Sequence, residues 1–296
     1  MELYFEKYYI YVNGFWGGFV EKTNENHIGF FEKLFSKTKL RNFEITDNIN
    51  KANVLFESVF GSSFVDYKKW KYKIHYSGER FNNDISKYDL VLYCSNDEQR
   101  QTVDLPLFAY YIHSNVLFEK MINKHIITSV PPKFCCFIVS NGNSIVRNQM
   151  FEILNSYKKV DSCGGYNNNI GYRLPFGYWT EEYRKFIGQY KFIICFENAK
   201  IGSYSTEKIV NPYLSGTIPI YWSSHHVNNV FNSDSMLFLE NETIDAFQKL
   251  IDKIVELDHS DEKYLEFINR PVFKNLDYWN TNYEMDVIAG KIDTVI

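Results

Sequence analysis

Cysteine is scarce in this 296-residue chain: Cys94, Cys135, Cys136, Cys163 and Cys195 make an odd count of five, with no C-x-x-C spacing. That excludes a disulfide-stapled miniprotein, and the only adjacent metal-ligand types are His225 and His226, too little for a zinc site. Cys135, Cys136 and Cys195 lie inside the apolar runs 134–139 and 192–196, so buried free thiols in a reducing compartment are expected. An excess of one charge is also missing. Lys plus Arg total 32 against 36 Asp plus Glu, and a net charge of −4 argues against nucleic-acid binding by bulk charge. No run of about 18 apolar residues occurs, so no membrane-spanning helix is expected. The opening residues 1–7 carry neither a basic stretch nor a long apolar one, and a cytoplasmic location is the expectation. What is present is ordinary for a globular protein: 45% hydrophobic and 23% charged residues, which excludes a disordered or collagen-like chain. Aromatics are abundant, with 25 Phe, 23 Tyr and 5 Trp. Sugar stacking is one reading; the coding bias that also enriches Asn, Lys and Ile is the preferred one.

The length suggests about two domains at roughly 100–200 residues each. Short segments rich in β-branched and aromatic residues predict strands at 8–12, 53–56, 72–76 and 90–93, and then at 134–140, 191–196 and 218–222. Apolar residues at helical spacing predict helices over 28–35, 146–157 and 243–257. Strands alternating with helices imply parallel sheets built from βαβ units, an α/β class. Pro131-Pro132 is the clearest punctuation and places a boundary between a domain of residues 1–130 and one of 131–277, with 278–296 expected as a helix packing back on the first.

The strongest local signal is Tyr190-Lys-Phe-Ile-Ile-Cys-Phe-Glu-Asn198, followed by Tyr204-Ser-Thr-Glu-Lys208 and Ser215-Gly-Thr-Ile-Pro-Ile-Tyr-Trp222. It reads as a buried strand, a polar loop in which Ser203 or Ser205 caps a helix, and a first turn carrying Glu207 and Lys208. Glu suits a helix N-terminus; Lys does not, because the macrodipole is positive there. Lys208 makes sense beside free backbone N–H groups if it meets an anion such as a phosphate, but the residues alone favour the bland alternative, a solvent-facing lysine. Pro212 lies about two turns into this helix, which is therefore either kinked or short.

These segments resemble the donor-binding signature of glycosyltransferase family 10, the α-1,3/1,4-fucosyltransferases. The resemblance extends upstream to Phe137-Ile-Val-Ser-Asn141, Arg147-Asn148 and the Gly/Asn-rich stretch 160–171, and to the turn Tyr76-Ser-Gly-Glu79; Val12-Asn-Gly-Phe-Trp-Gly17 is faintly similar to the family's opening strand and loop. It implies a GT-B fold of two Rossmann-like domains facing across a cleft. It also implies inverting transfer of L-fucose from GDP-β-L-fucose, with donor binding in the second half and acceptor binding in the first. By resemblance Glu79 is the catalytic base. Arg147 and Lys208 are the phosphate cations, and Asn198, Tyr204 and Glu207 are further donor contacts. Phe15, Trp16 and Arg80 are candidate acceptor contacts, Arg80 standing where relatives often carry Asn. Residue by residue, each has a plainer alternative: an exposed turn acid for Glu79, a solvated helix residue for Arg147, a cap, a turn residue and a loop ring for Glu207, Asn198 and Tyr204, core packing for Phe15 and Trp16, and a surface loop for His225-His226.

No D-x-D occurs, so fixed cations are expected to replace a metal; none is expected to be required, although Mn²⁺ assistance is compatible. The chain ends without the heptad repeats and basic amphipathic tail of some bacterial relatives, and a soluble enzyme of glycan biosynthesis is expected. Its acceptor would be a GlcNAc- or glucose-containing glycan, fucosylated at O3. A non-catalytic glycan- or nucleotide-binding module, and an inverting transferase using another nucleotide sugar, are the alternatives.

Overall fold

The computed structural model describes residues 6–23, 27–61, 69–80, 84–94 and 100–296; residues 1–5, on which the reading of the opening segment partly rests, lie outside them. The chain forms two compact units. Unit 1 comprises residues 1–116, 201–204 and 277–296, and unit 2 comprises 117–200 and 205–276. The chain first passes from one to the other at 116/117, ahead of the Pro131-Pro132 pair, and the short excursion 201–204 returns it to unit 1.

In unit 1, six described strands form one parallel sheet: β1 (Tyr8–Asn13), β2 (Phe43–Thr46), β3 (Val54–Glu57), β4 (Tyr72–Ser77), β5 (Leu90–Tyr93) and β6 (Thr102–Asp104). Their order is β2-β1-β3-β4-β5-β6. Val54, Leu55 and Phe56 are all fully buried, as expected of a central parallel strand covered on both faces. The strand β2 escapes sequence reading because Phe43-Glu-Ile-Thr46 is a short edge strand, only half-buried. One face of the sheet packs on aromatic side chains: Phe31, from the helix Gly29–Ser36, lies 4.8 Å from Phe56, 4.9 Å from Tyr76 and 5.4 Å from Tyr110, centroid to centroid. The C-terminal segment is two helices, Asp277–Asn282 and Met285–Val295, rather than the one expected. The break falls where Glu284 turns extended and accepts the Trp279 indole N–H at 3.0 Å, while the Tyr283 hydroxyl donates to Asp104 at 2.7 Å.

In unit 2 the strands are β7 (Lys133–Phe137), β8 (Val160–Ser162), β9 (Tyr190–Ile194), β10 (Ile218–Tyr221) and β11 (Leu237–Phe238). They are parallel, in the order β11-β10-β9-β7-β8. Phe137, Phe151, Leu154, Phe192, Ile194, Ile220, Ile254 and Tyr264 belong to its core. The helix Ile244–His259 buries Phe247, Leu250, Ile254 and Leu257, the three- and four-residue spacing of one helical face, and Thr243 caps it by accepting from the Ala246 N–H.

Both sheets have the same switch in strand order. After the first strand the chain steps to one side, then crosses to the other and continues outward, so β1/β3 and β7/β9 are switch points, where crevices open beyond the strand carboxyl ends. Expected strands over 134–140 and 191–196 run too long: β7 stops at Phe137 and β9 at Ile194. The residues beyond those ends build the site.

Candidate active site

In unit 2, Arg147 is the third residue of the helix Ile145–Tyr157, which follows β7, and only 2% of it is exposed. It is not the solvated helix residue of the bland alternative. Its guanidinium donates to the Asn141 carbonyl at 2.6 Å and to Asn198 Oδ1 at 2.8 Å, with the Phe196 carbonyl at 3.5 Å. One flat head group therefore bridges the loop after β7 and the loop after β9, across the switch point. These three acceptors are neutral, so they fix the guanidinium's orientation without cancelling its charge. The loop after β8 closes against the same strand exit: a Cβ on Gly164 would lie 2.0 Å from the Val139 carbonyl oxygen, so only glycine permits the approach.

After β9 the chain reaches the helix Glu207–Ser215. Its N-cap is Thr206, not Ser203 or Ser205; the Thr206 hydroxyl accepts from the Lys208 N–H at 3.3 Å. Pro212 is tolerated because the helix is short, ending at Ser215 with Gly216 left-handed at φ +69°. Lys208 is the second helical residue. Its ammonium lies 3.1 Å from Thr206 Oγ1 and 3.5 Å from carboxylate oxygens of both Glu197 and Glu207. This resolves the mismatch between a lysine and a positive helix end: two carboxylates offset the macrodipole there.

Glu197 is the residue sequence reasoning passed over. It is 0% exposed and accepts from the Thr206 N–H at 2.8 Å, the Thr206 hydroxyl at 3.0 Å and the Tyr221 hydroxyl at 2.8 Å. Burial pushes its carboxyl above the usual range; the Lys208 ammonium and the Tyr221 and Thr206 donors oppose that rise. The available signal was an acid closing an apolar run directly ahead of a Thr-Glu-Lys helix start. Asn198 is exposed apart from its bond to Arg147, and Glu207 is 9% exposed.

In unit 1, β4 ends in Ser77 and the turn places Glu79 half-buried just beyond it. The Ser77 hydroxyl donates to the Glu79 carbonyl at 2.5 Å and accepts its N–H at 3.1 Å. Gly78 is needed for packing rather than for a left-handed turn: a Cβ there would meet Leu107 Cδ1 at 2.7 Å. The Tyr204 hydroxyl, from the 201–204 excursion, donates to Glu79 Oε2 at 3.0 Å, and the neighbouring Ser203 hydroxyl donates to Asp104. Tyr204 is therefore a partner of the carboxylate, with 1% exposure, not a free loop ring. Arg80 is exposed. Phe15 is half-buried and stacks on Phe19 at 4.0 Å, with Phe56 at 4.7 Å; Trp16 meets Phe19, Phe60 and Tyr110 edge-on. Both rings belong to the packed aromatic face. His225 lies on the unit 2 surface, 3.5 Å from Glu240. All five cysteines are free and buried. Among the described residues no group of three or more His, Cys, Asp or Glu side chains is arranged to hold a metal ion, and no helix is long and apolar enough to cross a membrane.

Comparison with known families adds the deciding observation: the model of "Glycosyltransferase family 10 (fucosyltransferase) C-term" matches residues 129–287, more than half of the chain. The chain belongs to glycosyltransferase family 10. The match takes in Arg147, Asn198, Glu197 and the 204–208 segment, while Glu79 lies outside it. An α-(1,3)-fucosyltransferase of Helicobacter pylori is 28% identical over 287 residues, covering 92% of this chain and 56% of the relative. The chain thus spans little more than half the length of that family 10 relative. A GDP-fucose protein O-fucosyltransferase 3 of Canis lupus familiaris is 32% identical over 137 residues, 45% of this chain and 27% of the relative. A crystal structure of an α1,3-fucosyltransferase with GDP-fucose aligns over 100% of this chain and 92% of its own, with a TM-score of 0.72 at 22% identity. That likeness is one of fold, the α/β GT-B type with two Rossmann-like parallel sheets.

Proposed function

We propose that the chain is an inverting fucosyltransferase that moves L-fucose from GDP-β-L-fucose to a hydroxyl, O3 of a GlcNAc or glucose residue, in a glycan acceptor. Unit 2 is the donor-binding domain and unit 1 the acceptor-binding domain. The observation that carries the reading is Arg147: a buried guanidinium spanning the β7/β9 switch point, the position at which open α/β sheets take nucleotides. Family membership and the GDP-fucose named for the structural relative support the choice of nucleotide.

Each residue has its own part in the chemistry. Glu79 takes the proton of the acceptor hydroxyl. The acceptor oxygen forms a bond to the fucose anomeric carbon from the face opposite GDP, the bond to the β-phosphate oxygen breaks, and GDP departs with the electron pair. Charge growing on the departing diphosphate is met by the forked guanidinium of Arg147 and the ammonium of Lys208, both fixed before the reaction begins. Tyr204 holds Glu79 by its hydroxyl and Asn198 holds Arg147; Glu207 accepts hydrogen bonds from the donor's sugar hydroxyls in this reading. Arg80, Phe15 and Trp16 are offered as acceptor contacts, with Phe15 and Trp16 acting through whatever ring edge their packing leaves uncovered. The buried free thiols suit a reducing compartment, and the cytoplasm is the proposed location.

The test is incubation of the pure protein with GDP-fucose and N-acetyllactosamine acceptors, reading GDP release and the anomeric configuration of the product by NMR. An α-linked fucoside formed with equal GDP supports the reading. Donor binding without GDP release supports the non-catalytic module. A larger thermal shift with a UDP-sugar than with any GDP compound removes the GDP assignment.

A further inference from the structure

The buried acid Glu197 has no role in the reaction as proposed, and its surroundings define one. Four donors converge on it: the Thr206 N–H at 2.8 Å, the Thr206 hydroxyl at 3.0 Å from both carboxylate oxygens, the Tyr221 hydroxyl at 2.8 Å and the Lys208 ammonium at 3.5 Å. The Thr206 N–H and the Lys208 ammonium can only donate, and the Thr206 hydroxyl, which itself accepts from Lys208, has its proton left to give; an ionised carboxylate meets all of these, accepting at both oxygens and donating at neither. The two oxygens are differently occupied. Oε1 takes the Thr206 N–H and the Tyr221 hydroxyl, bonds that anchor the acid to the strand β10 and the helix start; Oε2 is the oxygen nearest Lys208.

A fully buried carboxylate next to an anion site repels the anion, so its charge does not favour phosphate. Its placement does. Lys208 has a long flexible stem, and the positive helix end on which it sits would drive its ammonium outward. Glu197, itself held rigidly from the Oε1 side, gives the ammonium a fixed partner at the helix N-terminus, with 23% of the lysine side chain left open. We infer that Glu197 is a positioning residue for the donor diphosphate, acting through Lys208 by holding its ammonium at the start of the helix Glu207–Ser215. This rests on the proposed donor reading of the site.

The substitution Glu197→Gln separates the two oxygens. An amide whose carbonyl keeps the Oε1 position retains the Tyr221 and Thr206 N–H bonds, and its NH₂ then faces the ammonium donor to donor. The scaffold side is preserved and the lysine side is broken. The experiment is calorimetric titration of GDP into the full chain as wild type, Glu197→Gln, Lys208→Ala and the double variant. Glu197→Gln is expected to raise the GDP Kd roughly tenfold, the size of one weakened charge-assisted contact, and to add nothing in the Lys208→Ala background. An unchanged or tighter Kd in Glu197→Gln overturns the inference, because charge then outweighs placement. An equal weakening in both backgrounds also overturns it, because the acid then acts on the fold and not through Lys208. Should Glu197→Gln not fold, Tyr221→Phe, which removes one anchor and leaves the acid, takes its place in the same cycle. A Kd raised only when Lys208 is present then supports the inference, and an unchanged Kd or an equal weakening in both backgrounds overturns it. Wild-type protein that binds no GDP refutes the donor reading itself; GDP binding that needs Lys208 but ignores Glu197 refutes only this inference.

Discussion

Replacing Arg147 by Lys keeps a positive charge at the switch point and removes the fork. The arginine reaches the Asn141 carbonyl at 2.6 Å on one loop and Asn198 Oδ1 at 2.8 Å on the other. A lysine head group is a single point and serves one loop at a time, so one of the two part-buried bonds, each to an acceptor on an exposed asparagine, is lost. Losing one part-buried hydrogen bond costs about 0.5–1.5 kcal/mol of folding stability. The proposed two-pronged contact with the diphosphate, reduced to a point contact, forfeits about 1.5–3 kcal/mol of binding, which corresponds to a GDP Kd raised roughly ten- to hundredfold. The assay is calorimetric titration of GDP into Arg147→Lys and wild type, with urea unfolding of both. The expected outcome is weakened binding and a lowered unfolding midpoint together. Binding equal to wild type would refute the reasoning, since charge alone would then suffice and the bridged geometry would be irrelevant to the nucleotide.

Other expectations follow from the same contacts. Glu79→Gln removes the proposed base while the amide oxygen still accepts from Tyr204, so turnover should fall about 10²–10⁴-fold with GDP-fucose affinity nearly intact; steady-state kinetics with unchanged turnover would clear Glu79 of that role. Gly216→Ala places a Cβ at φ +69° and 2.7 Å from Ile127 Cδ1, and should lower unfolding free energy by about 1–2 kcal/mol in urea titration; stability equal to wild type would show that the cap is not needed. His75 is fully buried beside Tyr88, and burial lowers its pKa from 6.5 to about 4. The fold therefore favours the neutral ring: its contribution is intact above the unfolded pKa and is lost as pH falls from 6.5 towards 4. Between pH 7 and pH 5 the wild type should lose about 2 kcal/mol more than His75→Phe. Equal losses in denaturant titrations at the two pH values would show that His75 is not what the fold protects.

The α/β class was legible because the central strands are buried on both faces and read as unbroken apolar runs, as at Val54–Phe56. The short edges were not: Phe43–Thr46, Val160–Ser162 and Leu237–Phe238 are too brief or too exposed to carry a pattern. Strand ends were overrun at 134–140 and 191–196 because the apolar run continues past the strands into the site loops, and after β9 so does backbone pairing, Cys195 to Ile220 and Glu197 to Trp222. The same ambiguity hid Glu197, which completes such a run and looks like a turn acid until burial and its donors are seen. Lys208 stood out by violating the macrodipole preference, and the violation marked a real arrangement, in which buried acids hold the ammonium. Arg147 shows the reverse case. Nothing in Ile145–Asn148 says that its side chain turns inward to tie two loops, because that depends on where β9 lies, a contact between residues about fifty positions apart. Tyr204 could be matched to a family position, but its bond to Glu79 depends on the 201–204 segment grouping with unit 1, which spacing along the chain does not encode.

A crystal structure of the full chain with GDP would decide where the nucleotide sits. It should show the diphosphate on the Arg147 guanidinium and the Lys208 ammonium, beyond the carboxyl ends of β7 and β9. A diphosphate bound elsewhere, with both cations still turned only to their protein partners, would contradict the donor-site assignment.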